Sequence, residues 1–160
     1  MHKPNILLGR NDNRLDHGQV GAVWTRHLGA NLILVADDEV AKDELQQSLM
    51  KMVATVAGNV QIRFFTLEKT KNIIWKASPD QKIFIVTRTP REMRELIEGN
   101  VPIPQVNVGN MHASEGKRQL TSAIFVDRQD EEDLNAIVNA GIRVYLQPVP
   151  TVEGTEYKGH

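Results

Sequence analysis

The segment from Gly9 to Gln19 gathers Arg10, Asp12, Arg14, His17 and Gly18 between an apolar run and a stretch of helical period. An unperturbed imidazole titrates near about 6.5, so at neutral pH it offers a lone pair, and a phosphoryl group placed on it stays labile enough to move on. Guanidinium groups at Arg10 and Arg14 present forked donors suited to phosphoryl oxygens. Gly18 has no side chain, which would let backbone amides at a helix start approach the same oxygens. The residues also admit a plainer reading, in which a histidine before a glycine is a cap or a surface residue, and composition alone does not exclude it. Asp12 could accept the second imidazole N–H or pin the loop through its own backbone, and pinning is the preferred reading.

Other chemistries find less support. Cysteine is absent, which removes disulfides, thiolate nucleophiles and Cys-based zinc sites. Gly109 to Lys117 resembles a P-loop only loosely, since the interval is too long and Arg118 follows the lysine, and no Gly-x-Gly-x-x-Gly follows an apolar run. Asp37, Asp38, Asp43 and Glu44 surround the first turn of a helix, where the dipole accounts for them, so neither metal nor cofactor is expected. Trp24 and Trp75 fit helix faces turned to the core, and His112 reads as a structural loop residue.

These side chains need a frame, and the order of elements supplies one. Short apolar runs at Asn5–Leu8, Asn31–Ala36, Gln61–Phe65, Lys82–Thr87, Gln105–Val108, Ala123–Asp127 and Arg143–Gln147 predict strands. Helical periods lie between them: His17–Leu28, with Val20, Val23, Trp24 and Leu28 on one face, and Glu39–Val56, with Ala41, Leu45, Leu49, Met52, Val53 and Val56 on another. Further helices are expected over Leu67–Ala77, from Pro90, and from Asp130 to Ala140. The alternation predicts an α/β fold, an open and mainly parallel sheet of about seven strands with helices on both faces. Ligands of such sheets bind outside the carboxyl ends of the strands, which singles out the loops Gly9–Gly18, Thr87–Pro90 and Gly109–Gly116.

With 160 residues, 41% hydrophobic and 24% charged, the chain suits one domain over 1–160, its tail 151–160 loose. A net charge of −1 provides no basic excess for nucleic acid. The apolar run at the N-terminus is too short for a signal peptide or a membrane span, so the protein is expected in the cytoplasm unless a partner holds it at a membrane.

Arg10-x-Asp12-x-Arg14-Leu15-x-His17-Gly18-Gln19-Val20 resembles the phosphorylation-site motif of the IIB components of the mannose, fructose and sorbose family of bacterial sugar phosphotransferase systems. Asn107-Val108-Gly109-Asn110-Met111 with Gly116-Lys117, the stretch Ala36 to Asp43, and Val149-Pro150 are similar to further segments of that family, so the likeness spans nearly the whole chain. The resemblance implies that His17 takes a phosphoryl group, on Nδ1, from a phosphohistidine of a IIA partner and passes it to a sugar held by membrane IIC and IID components. It places Arg10, Asp12 and Arg14 in the loop of that histidine. It also implies that subunits associate with one another. Thr87 and Arg88 would reach the same phosphoryl group from a neighbouring loop. The run Gln61–Lys69 with Asn107–His112 looks more like the N-acetylgalactosamine and galactosamine branch than the mannose or sorbose branches. One position departs: the residue before the histidine is usually apolar in the family and is Asp16 here, a carboxylate that repels a group of about −1.5 to −2 charge unless it turns to solvent. Two rival readings are a non-catalytic regulatory module of the same fold, which would need no nucleophile, and a phosphatase or mutase, for which an obvious general acid is lacking.

Overall fold

The computed structural model describes residues 3–15, 18–54, 58 and 60–159. The strands are β1 (Asn5–Asp12), β2 (Leu32–Ala36), β3 (Gln61–Phe65), β4 (Lys82–Thr87), β5 (Gln105–Asn110), β6 (Arg118–Thr121), β7 (Ile124–Val126), β8 (Arg143–Leu146) and β9 (Thr155–Tyr157). The helices are α1 (Gly18–Leu28), α2 (Glu44–Ala54), α3 (Leu67–Ile73), α4 (Pro90–Glu98) and α5 (Arg128–Asn139). One sheet holds seven strands in the order β3-β2-β4-β1-β5-β8-β9, parallel throughout except for β9 against β8.

Helices cover both faces, so the central strands bury both of theirs and read as continuous apolar runs. From β4, Ile83 and Ile85 join one core with Leu67 of α3, Met93 and Leu96 of α4 and Leu134 and Ile137 of α5. Phe84 and Val86 join the other with Leu8, Trp24 of α1 and Met50 of α2. The helices following β1 and β4 therefore leave for opposite faces, although the two strands are neighbours. Such a switch opens a crevice at the carboxyl edge of the sheet.

Three expectations change. Ala123–Asp127 does not enter the main sheet: β7 pairs antiparallel with β6 in a separate hairpin, which a bridge from Ile124 ties to Met111, just past β5. The seventh strand is instead β9, drawn from the tail expected to be loose, where Tyr157 is buried and its hydroxyl donates to Asn135 at 2.9 Å. The third concerns the long second helix. Asp37 Oδ1 caps a 3-10 turn by accepting from Glu39 and Val40 N–H, Asp43 is extended, and its carboxylate accepts from Gln46 N–H to start α2 afresh. This restart fixes the helix with Met50 inward, leaving Leu45 73%, Leu49 51% and Met52 69% exposed, on the face that periodicity alone assigned to the core.

Among the described residues no helix is long and apolar enough to cross a membrane.

Candidate functional site

The candidate segment begins inside β1. Between Asn11 and Asp12 the pairing with β5 slips by one residue, so that Asn11 faces Val108 and Asp12 faces Asn110. Gly109 occupies the extra position, and the Arg10 guanidinium lies across it so closely that any Cβ there would collide. A glycine in this strand thus marks the close approach of another group. The guanidinium is 1% exposed. Its Nη1 donates to Asn107 Oδ1 and to the Gln147 carbonyl (3.3 Å), and its Nη2 donates to Asp12 Oδ2 (3.1 Å) and the Pro148 carbonyl (3.0 Å). Trp24 lies 5.1 Å below it, with Nε1 donating to the same Pro148 carbonyl at 2.9 Å. Burial lowers the pKa of Arg10 from its ordinary value, and the Asp12 carboxylate opposes that shift.

Asp12 pins the turn, since its second oxygen accepts from Arg14 N–H at 2.9 Å. Arg14 is exposed, and among the described residues its guanidinium has no hydrogen bond or ion pair. With Arg10 and Asp12 it lines a cleft of about 210 Å³, whose other walls come from Gly109 and Asn110 of β5, Ala123 of the hairpin, and Pro148 and Val149 after β8. Arg10 and Asp12 neutralise each other, so Arg14 leaves the cleft positive. Asp16 and His17 lie outside the described residues; Leu15 before them is buried, and Gly18 after them opens α1. Asn11, on the opposite side of β1 from Arg10, is fully buried with an amide that meets no partner among the described residues.

The fold brings together Arg10, Asp12, Arg14 and the segments Asn107–Met111 and Val149-Pro150, but it corrects two expectations. Thr87 is fully buried, and its hydroxyl donates to the Thr89 carbonyl at 3.3 Å. Arg88 turns away to β2, where its Nε meets Asp37 Oδ2 at 3.0 Å, with Glu39 beyond at 3.9 Å. Neither side chain lines the cleft, because the carboxylates at the end of β2 outbid it for the guanidinium. Arg10 is likewise no free phosphoryl ligand, its four terminal N–H groups being taken. Nearby, Glu92 closes the capping box of α4 by accepting from Thr89 N–H at 2.9 Å. Its burial, with the Asp37 charge adding to it, pushes its pKa up to about 7.

Sequence reasoning passed over Asn13, an anonymous position in the motif. Its N–H donates to the Asn110 carbonyl (3.0 Å), its Nδ2 to the Arg88 carbonyl (2.8 Å), and its Oδ1 accepts from His112 N–H (2.8 Å). Only its residue type, a turn former with both donor and acceptor, could have hinted at this.

The family model described as PTS system sorbose subfamily IIB component matches residues 6–158. The chain is 55% identical over 150 residues to the N-acetylgalactosamine-specific phosphotransferase enzyme IIB component 1 of Escherichia coli K12, covering 94% of each. It is 32% identical to the PTS system mannose-specific EIIAB component of the same strain over 91% of the chain and 45% of that longer protein. Among solved structures, the PTS system N-acetylgalactosamine-specific IIB component 1 from Escherichia coli superposes with a TM-score of 0.93 at 53% identity, over 96% of this chain and 99% of that one.

Proposed function

Because the chain belongs to the sorbose subfamily of phosphotransferase-system IIB components, we propose that His17 is its phosphoryl carrier and Arg14 the cation that meets the phosphoryl oxygens. The protein is a phosphocarrier subunit of sugar uptake, a phosphotransferase that works with IIA and with membrane IIC and IID components. The observation that carries the assignment of Arg14 is the contrast between the two loop arginines, one buried with all four terminal N–H groups bonded, the other exposed at the cleft with no partner among the described residues.

Transfer follows from that arrangement. A nitrogen of the His17 imidazole attacks the phosphorus of the IIA phosphohistidine, an N–P bond forms as another breaks, and the IIA imidazole leaves neutral. A sugar hydroxyl then attacks the same phosphorus, its proton is released, and His17 is regenerated. The protein's part is positioning and charge: Arg14 stabilises the equatorial oxygens, while the Gly18 backbone opens the start of α1 to them. The acceptor is N-acetylgalactosamine or galactosamine, and the 55% identical relative, whose name gives N-acetylgalactosamine, supports the first of these. The subunit acts at the cytoplasmic face, held peripherally by the membrane components.

Intact-mass measurement after incubation with phosphoenolpyruvate, the general phosphotransferase proteins and the cognate IIA tests this. Wild type should gain one acid-labile phosphoryl group of about 80 Da, and His17→Ala none. A gain by His17→Ala would overturn the assignment.

A further inference from the structure

We propose that Asn13 is a positioning residue for phosphoryl transfer, a strut that fixes the reactive loop across the switch point of the sheet. The inference rests on the reading of His17 as the acceptor, but its structural half does not depend on that reading.

Pairing of β1 with β4 ends at Asn11 and Thr87, and pairing with β5 ends at Asp12 and Asn110. Beyond those points the helices following β1 and β4 pack on opposite faces, and neither ladder registers a further residue of β1. Asn13 is the first residue past the ladder, and it replaces the missing pairing with three hydrogen bonds. Its backbone continues the ladder to the Asn110 carbonyl, its amide nitrogen reaches the Arg88 carbonyl, and its amide oxygen takes the His112 N–H, none longer than 3.0 Å. Both side-chain partners are backbone groups of the two flanking loops, and each of those loops is anchored independently: Arg88 by Asp37, Met111 by Ala123 and Phe125 of the hairpin. A planar amide carries its donor and its acceptor on separate atoms and so reaches both loops at once, whereas aspartate would keep only the His112 bond and alanine neither. Displacing a reacting group by about 1 Å can slow a reaction about 100-fold, which is the scale such a strut controls.

The experiment uses full-length wild type, Asn13→Ala and Asn13→Asp. First, amide hydrogen exchange is followed by NMR. In Asn13→Ala the His112 amide should lose its protection and the amides of residues 14–19 should exchange faster, while β1 residues 6–11 keep theirs; in Asn13→Asp the His112 amide should stay protected. Unchanged protection at His112 and in 14–19 overturns the strut. Second, single-turnover transfer from phosphorylated IIA is timed by quenching and intact mass. Asn13→Ala should reach the same end point of one phosphoryl group, with a rate at saturating donor lower by about 10- to 100-fold and a half-saturating IIA concentration little changed, and Asn13→Asp should fall between. A wild-type rate at saturation, or a change in half-saturation alone, overturns the positioning role. Phosphorylation of His17→Ala would instead strike the carrier assignment and leave the exchange result to judge the strut.

Discussion

A guanidinium brings five N–H donors, and the number left over after folding decides what an arginine can do. Arg10 spends four of them on Asn107, Asp12 and two carbonyls, so it holds the end of β1 to the ends of β5 and β8. Arg14, four residues on, lines the cleft and has no partner among the described residues. Substitution should separate the two. Arg10→Ala strands the buried Asp12 carboxylate and is expected to cost about 3 to 5 kcal/mol in a urea titration. Arg14→Ala should stay within about 0.5 kcal/mol of wild type yet slow transfer from IIA by about 100-fold. A stable Arg10→Ala, or an Arg14→Ala that transfers at the wild-type rate, would reverse the division. The motif presents both arginines as equivalent, because spacing does not reveal which side of a strand faces a tryptophan.

Elements decide where each side chain points, and α2 shows how local chemistry can overrule periodicity. Leu45, Leu49 and Met52 recur as a buried stripe should, but the restart at Asp43 turns them outward. Replacing Leu45 and Leu49 together by glutamine should therefore change stability by no more than about 1 kcal/mol, where two core leucines would cost several. Thermal unfolding of the double variant checks this, and a loss of several kcal/mol would return the stripe to the core. The slip in β5 is of the same kind: Gly109 is legible as a glycine, whereas its purpose, room for Arg10, exists only when two strands lie side by side. By contrast the start of α4 was readable from Pro90, and its capping box of Thr89 and Glu92 lies within four consecutive residues.

The stability of the whole molecule should carry the mark of Glu92. Burial, reinforced by Asp37, raises its pKa from 4.5 to about 7, so the folded chain holds a proton that the unfolded chain releases. Stability is then favoured below about pH 4.5 by this group, declines as pH rises, and reaches its full deficit above about pH 7. Glu92→Gln keeps the capping geometry without the charge and should gain on the order of 1 to 2 kcal/mol over wild type at about pH 8, with little difference at about pH 4. Parallel pH profiles for the two proteins would refute this account. At this scale the sequence by itself determined the α/β class, the parallel core strands and the family, because each is written in periodicity or in one continuous motif. Tertiary structure alone decided that Arg10 is buried and Arg14 exposed, that Arg88 serves Asp37, that the tail adds a strand to β8, and that Asn13 joins its own loop to two others. Those outcomes are competitions between partners far apart in the chain, 75 residues for Asn13 with Arg88 and 138 for Arg10 with Pro148, and only folding brings the competitors within reach.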